Sequence, residues 1–171
     1  QAVVSAAALP TGGFEAMLHY DDAQTSAMLE AAAVRLAKPR DALLEDFGAY
    51  LVTLEPLRRL LRFGGVDYPD FLLSLDELPA RGLMALPDLD LPRFTLTTVA
   101  EGRVSLLVHA GVSGWGAVLS GLLRAMADDY GALALIESLM VGEGQELVSV
   151  ELLEARFASG RRFDLAQPAV L

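Results

Sequence analysis

The sequence predicts an α+β domain, in which an N-terminal helical part packs on a C-terminal four-stranded antiparallel sheet with one inserted helix. In the first half of the chain, apolar residues recur at spacings of three and four, as on one face of a helix. After Pro92 the period changes to the alternation that is typical of half-buried strands. No repeat or linker divides the chain, so we expect one domain over residues 1–171, with the helical part at about 1–91 and the sheet part at about 92–171.

The composition excludes several kinds of site and partner. The chain contains no cysteine, which excludes disulfides and every thiolate site, and only two histidines, His19 and His109. The net charge of −10 argues against binding to nucleic acid or to an anionic membrane. No apolar run approaches the ~20 residues that cross a bilayer, and no secretory signal is evident. We therefore expect a soluble, cytoplasmic protein that meets other proteins or a small ligand.

Four helices are predicted in the first half of the chain. Asp21 or Asp22 suits the N-cap of the first, because a short carboxylate accepts the free amide hydrogens of a first turn, and Pro39 ends this helix. The third is expected to start near residue 55 and to end at Gly64–Gly65. The other predicted helices cover residues 22–38, 40–52 and 68–78, and a stretch interrupted by Pro79, Pro87 and Pro92 follows them.

Two hairpins that flank one helix are predicted in the second half. Turns at residues 101–102 and 142–145 join the strands of each pair. The helix between the hairpins is expected to have Ser113 as its N-cap, to pack Trp115 inward and to end at Gly131. The predicted strands cover residues 94–99, 103–110, 132–141 and 146–157, and the predicted helix covers residues 115–130.

Four segments carry a resemblance to a known family. They are Asp46-Phe47-Gly48, the run Phe71-Leu72-Leu73-Ser74-Leu75-Asp76, Pro92-Arg93-Phe94, and the helix of residues 121–131 that ends in Tyr130-Gly131. In order and spacing these segments resemble blocks of the heme-nitric oxide/oxygen binding (H-NOX) family, over nearly the whole chain. The resemblance implies a sensory or regulatory domain of H-NOX-like fold. It also implies that the family's first N-terminal helix is absent, because the match begins after it.

The resemblance implies where a heme would be held. Along the family pattern, Pro79 stands at the position of the iron-binding histidine, and neither Leu78 nor Ala80 offers a donor atom. The iron needs a neutral imidazole nitrogen at that point. The resemblance therefore implies that the axial ligand is missing.

The other family positions around the heme are mostly changed as well. His109, Gly111 and Ser113 stand in place of the Tyr-x-Ser-x-Arg motif that holds the propionates, so the bidentate bond of its arginine is lost. Val118 replaces the distal tyrosine of oxygen-binding members, whereas Pro92 matches a proline that presses on the heme. By resemblance, the cofactor-binding positions are thus Pro79, Pro92, His109, Gly111, Ser113 and Val118. We expect no bound heme, although the resemblance leaves heme open as the cofactor.

Three functions remain open from the sequence. The first is a heme-free regulatory module that acts in trans on a signalling protein, such as a kinase, a cyclase or another regulator. The second is a heme-based nitric oxide sensor with a non-standard ligand, such as His109 or a methionine. The third is a binder of another apolar ligand, for instance a different tetrapyrrole. The first is preferred because the substitutions remove polar groups without adding catalytic ones, and no enzyme is predicted.

Charged residues elsewhere have simpler interpretations. His19 with Asp21 and Asp22 could ligate a metal, but we prefer helix capping for the two carboxylates and predict no metal site. A basic stripe on the third helix could meet an acidic partner, and two carboxylates end the later helix. We expect both groups to be solvated helix faces: Arg58, Arg59 and Arg62, and Asp128 and Asp129.

Overall fold

The structure is a computed structural model that describes residue 18, residues 20–85 and residues 91–163. Of the residues singled out above, His19 and Pro87 lie outside the described part. The helices are α1 (Asp22–Leu36), α2 (Arg40–Thr53), α3 (Glu55–Arg62), α4 (Tyr68–Leu73), α5 (Leu78–Ala85) and α6 (Trp115–Tyr130), with a 3-10 turn at Leu75–Glu77. The strands are β1 (Arg93–Ala100), β2 (Arg103–His109), β3 (Leu133–Gly142) and β4 (Gln145–Glu154).

Local signals set the bounds of the first helices. Asp21 is the N-cap of α1, and its Oδ1 atom accepts a hydrogen bond from the amide of Ala23 at 2.8 Å. This contact confirms one of the two residues predicted for that position. The helix ends where Ala37 adopts a left-handed φ of 51°, just before Pro39. α2 then begins directly after this proline, as expected from its missing amide hydrogen.

A further helix replaces the proline-interrupted stretch that the sequence predicted. α4 stops at Leu73, and α5 begins at Leu78 with Pro79 in its first turn. The prediction that the fourth helix continues to residue 78 was therefore wrong. Proline fits the start of a helix, because an amide hydrogen there would have no partner within the helix. Ser74 lies at the break, where its carbonyl and Oγ accept hydrogen bonds from the Arg81 guanidinium at 2.8 and 3.0 Å.

The four strands form one antiparallel sheet in the order β1-β2-β4-β3. β2 and β4 are adjacent, so the two predicted hairpins join into one sheet. The last strand is shorter than predicted and ends at Glu154. The chain turns back there, and the amides of Phe157 and Ala158 donate to the carbonyl of Gly131 at 2.8 and 2.9 Å. Helices followed by this sheet, with α6 inserted between its hairpins, confirm the predicted α+β class.

α6 is the central element of the core. One side of α6 packs against the inner face of the sheet, where alternate residues of β2 and β4 are at most 6% exposed: Val104, Leu106, Val108, Val148 and Val150. α4 adds the buried rings of Tyr68 and Phe71 to the same cluster. This alternation of buried and exposed residues along the inner strands is the pattern that predicts them from the sequence.

α2 crosses the opposite side of α6 at backbone contact. A Cβ atom on Gly48 would lie 1.9 Å from the carbonyl oxygen of Val118, and one on Gly121 would lie 1.9 Å from that of Glu45. Only glycine permits this approach at either position. α6 is therefore held between the sheet and α2. In the part of the chain that the structure describes, no helix has the length and apolar character needed to cross a bilayer.

Candidate functional site

Pro79 is a half-buried residue in the first turn of α5. Its ring nitrogen belongs to a peptide bond, so it offers no lone pair to a metal. Leu78 is 8% exposed and packs in the main core cluster, and Ala80 is an exposed residue without a donor. The position therefore has packing that suits a helix start and no group that could bind a metal.

Pro92 is buried and immediately precedes β1. A proline suits this place, because it lacks a ladder donor and is tolerated where a strand begins. Phe94, two residues further on, packs against the core cluster from the edge strand.

His109 ends β2 and lies opposite Arg93 of β1 and Gln145 of β4. Its half-buried ring has Nδ1 3.5 Å from the side-chain Nε2 of Gln145. Successive side chains of a strand point to opposite faces, and Val108 is fully buried on the inner face. The His109 side chain is therefore directed to the outer face of the sheet, away from the main core.

Ser113 does not cap α6, although the sequence predicted that it would. The N-cap is Gly114 in a left-handed conformation, with φ of 113°, and both Gly111 and Ser113 are exposed. The cap comes from Glu146 on β4, which is 8% exposed: Oε1 accepts from the amide of Gly114 at 2.8 Å and Oε2 from that of Gly116 at 3.0 Å. The amide-rich, positive end of α6 thus carries an internal carboxylate.

A signal for Glu146 is present in the sequence, although Glu146 was not among the predicted site residues. Glu146, Val148 and Val150 share one face of β4, and all three are buried. A carboxylate in register with two core valines must face the interior and must find donors there. Gly116 accommodates it closely, since a Cβ at Gly116 would lie 2.7 Å from Glu146 Oε2.

Arg40 also contacts this loop and was not anticipated. It is the first residue of α2, and its Nη2 atom donates to the carbonyl of Ser113 at 3.3 Å. A guanidinium therefore lies near position 113 although that position holds a serine. In this contact the guanidinium binds the chain's own backbone.

Val118 is 8% exposed in a second, smaller apolar cluster. It packs there with Leu44 and Ala117, and the partly buried residues around them are Leu29, Leu51 and Trp115. Trp115 also contacts the main cluster, which confirms its predicted inward packing. The Val118 side chain is aliphatic and lies among apolar neighbours, so it offers no polar group to a bound gas molecule.

Asp129 contradicts the prediction of a solvated helix face. It is 1% exposed, its Oδ1 accepts from Arg58 Nε at 2.8 Å, and its Oδ2 lies 3.6 Å from Arg62 Nη1. The side chains of Arg58 and Arg62 are only 12% and 14% exposed, so the prediction was wrong for them too. The hydrogen bond to Asp129 raises the pKa of Arg58 above its ordinary value. Asp128 is exposed as expected.

Arg59, in contrast, is partly exposed and pairs with Glu55 of the same helix at 3.1 Å. Asp21 acts as a helix cap, as preferred above. Among the described residues, no group of three or more histidine, cysteine or carboxylate side chains could hold a metal ion.

Comparison with known proteins is consistent with this architecture. The family described as "Haem-NO-binding" matches residues 1–137. An H-NOX protein from K. algicida, solved in an Fe(II) unliganded state, has a TM-score of 0.75 at 14% identity, over 89% of this chain and 86% of its own. The Fe(II)NO state of an S. oneidensis H-NOX protein has a TM-score of 0.73 at 14% identity, over 89% and 87%.

A point mutant of T. tengcongensis H-NOX has a TM-score of 0.72 at 13% identity, over 90% of this chain and 86% of its own. At such identities the likeness shows the fold alone. No curated protein matches the sequence. H-NOX domains are sensors in signalling rather than enzymes, which agrees with the prediction that this chain is not an enzyme. On the family match and the shared fold, the chain belongs to the haem-NO-binding, or H-NOX, family.

Proposed function

We propose that this chain is a heme-free H-NOX regulatory module that acts through a protein partner in trans. The observation that carries the proposal is Pro79, a residue without a donor atom in the first turn of α5; by the sequence resemblance, this is the position where the family binds iron. α5 forms with Pro79 in its first turn, so a proline is compatible with the helix at this position.

The other candidate ligands do not compensate for Pro79. His109 is directed to the outer face of the sheet, opposite the buried Val108. Met126 is fully buried within the main core, whereas Met84 and Met140 are 81% and 56% exposed. We therefore expect none of these four side chains to replace the missing ligand at position 79.

Glu146 gives a second, independent argument. A heme carries propionate carboxylates, which the family holds at the positions that correspond to His109, Gly111 and Ser113. In this chain, a buried carboxylate already accepts the amides of Gly114 and Gly116 next to that loop. A propionate would meet like charge there, and the nearby Arg40 guanidinium already donates to the carbonyl of Ser113 at 3.3 Å.

A partner protein is the remaining route for a signal. Sensors of this family signal to other proteins, and we propose that the partner here is a kinase, a cyclase or another regulator. Val118, at the position of the distal tyrosine in oxygen-binding members, carries no polar group that would bind a gas molecule and lies in an apolar cluster.

The test is a titration of the purified chain with hemin, followed by the Soret band and by the fluorescence of Trp115, the single tryptophan. We expect the spectrum of free hemin and no saturable quenching. The matched variant is Pro79→His, which supplies an imidazole and is expected to produce a saturable Soret band.

Saturable one-to-one binding by the unmodified chain, with a band that shifts on addition of nitric oxide, would overturn the proposal. His109→Ala would then identify whether that histidine is the non-standard ligand. Quenching of Trp115 by an iron-free tetrapyrrole, without hemin binding, would instead indicate an apolar-ligand carrier.

A further inference from the structure

Residues 155–163, which we call the C-terminal strap, leave the sheet after β4 and return across the C-terminal end of α6. The amides of Phe157 and Ala158 both donate to the carbonyl of Gly131, at 2.8 and 2.9 Å. Residues 155–162 are exposed throughout. The start of the strap is therefore attached by backbone hydrogen bonds rather than by buried apolar side chains.

The end of the strap contacts α3. Arg58 Nη2 donates to the carbonyl of Arg162 at 3.0 Å. The guanidinium groups of Arg58 and Arg62 lie 5.3 and 4.9 Å from the centre of the Phe163 ring, within the range of cation–π attraction. Two arginines of one helix thus hold one aromatic ring of the strap.

Asp129 joins the strap, α3 and α6 at one point. Its backbone carbonyl accepts from the amide of Arg161 at 2.8 Å, and its side chain pairs with Arg58 and Arg62. The pairing is incomplete, because Asp129 Oδ2 and Arg62 Nη1 are buried and neither has a hydrogen-bond partner. An unmade hydrogen bond in a buried ion pair lowers the net stabilisation that the pair gives.

The strap therefore opens more easily than the core unfolds. Regions with few buried apolar contacts and exposed backbone bonds open locally, at a lower free energy than the whole domain. The side-chain contacts to the end of the strap come from α3, which is separated from α2 by Leu54 alone. Both guanidinium groups also contact α6, through Asp129 and, for Arg62, through the Tyr130 ring at 3.9 Å, so a displacement of α3 from α6 would take both from Phe163 together.

We propose that the C-terminal strap is a conformational switch, which α3 holds closed through Arg58 and Arg62 and which opens when α3 moves. The strap would pass a change in the helical part to the residues that follow position 163. The idea that the strap carries the signal of a regulatory module rests on the proposed function. The switch itself is tested on the protein alone, without heme or partner.

The experiment is amide hydrogen exchange, measured by NMR on the full chain, for Phe163→Ala and for Arg62→Met. Three reporter amides belong to the strap: Phe157, Ala158 and Arg161. We expect each variant to raise their exchange rates by roughly tenfold, from the loss of the cation–π contacts. Arg103→Met is the control, because it removes an exposed arginine that pairs with Glu151 on the sheet.

The coupling must also operate in the reverse direction, because linkage is reciprocal. Phe163→Ala is therefore expected to raise exchange at Phe63, whose amide bonds to the carbonyl of Arg59 at 3.1 Å at the end of α3. The amide of Lys38, at the end of α1, should keep its rate. The core amide of Val148 should also be unaffected.

Three results would overturn the proposal. Unchanged exchange at Phe63 in Phe163→Ala would mean that the strap is not coupled to α3. Unchanged strap exchange in both variants would mean that Phe163 and the arginines do not hold the strap closed. An equal rise at Val148 would mean that the strap belongs to the cooperative core and does not open by itself. If Arg62→Met fails to fold, Phe163→Ala still decides between these outcomes, because it leaves the buried charges in place.

Discussion

Removal of the buried Glu146 carboxylate should destabilise the domain strongly. Two amides at the start of α6 lose a charged acceptor, at distances of 2.8 and 3.0 Å. A hydrogen bond to a charged group contributes about 1.5–3 kcal/mol, and the exposed residues at Gly111 and Ser113 allow water to replace part of it. We therefore expect Glu146→Ala to lower the free energy of unfolding by about 3 kcal/mol.

Glu146→Gln should lower the free energy of unfolding by less than Glu146→Ala does, because its side-chain amide keeps one acceptor oxygen. It still loses the charge that favours a helix N-terminus. We expect about 1.5 kcal/mol for this variant. The assay is urea unfolding followed by the fluorescence of Trp115, which is the first residue of α6 and so lies beside the altered cap.

Glu151→Ala is the matched control on the same strand. Its partner Arg103 lies 2.8 Å away, but the two side chains are 42% and 50% exposed. An exposed pair of this kind contributes below about 1 kcal/mol. The reasoning about the cap would be refuted if Glu146→Ala were no more destabilising than Glu151→Ala.

Three further perturbations test the fold around the site. Pro79→His should keep the free energy of unfolding within about 1 kcal/mol of the unmodified chain in thermal unfolding, because a first-turn position needs no proline. Gly121→Ala should cost about 3 kcal/mol or more in urea unfolding, since its Cβ would lie 1.9 Å from the Glu45 carbonyl. Burial raises the pKa of Tyr68 and of Tyr130, so both phenols stay neutral in the fold. Stability should therefore be full below the ordinary tyrosine pKa of about 10 and fall as the pH rises above it, in unfolding measured across that range.

Each of these expectations has a contrary result. Loss of the folded state in Pro79→His would show that the proline is required for α5. Gly111→Ala controls for Gly121, because a Cβ at Gly111 meets nothing within 4 Å. Equal stability of these two alanine variants would contradict the backbone contact between α2 and α6. A free energy of unfolding that rises above pH ~10 would contradict the burial of the phenols.

The elements with strong local signals were predictable from the sequence. α6 covers the residues predicted for it, because its apolar face and the glycine that follows it can both be recognised within the segment itself. The hairpins follow from alternation and turn residues in the same way. α5 was not predicted, because Pro79 indicates either an interruption or a helix start, and only the packing of Leu78 in the core decides between them.

The buried charges were not predictable for a different reason. Asp129 is adjacent to an exposed carboxylate on the same helix, and its partners Arg58 and Arg62 are about seventy positions earlier in the chain. No local pattern connects residues that far apart. Glu146 differs from Asp129 in this respect, because its alternation with Val148 along β4 indicates that its carboxylate points inward. Its hydrogen-bond donors at the start of α6 depend on the tertiary fold.

The capping carboxylate of Glu146 is tethered to the site that it occupies, so any dissolved carboxylate competes with it at a disadvantage. A group fixed within hydrogen-bond distance has an effective concentration in the millimolar range or above, whereas a scarce ligand is present at far lower levels. On the proposed function, in which position 79 is the iron-binding position, an imidazole restored there would recover iron binding alone. The propionates of a heme bound through that imidazole would have to be held elsewhere, for as long as Glu146 accepts the amides of Gly114 and Gly116.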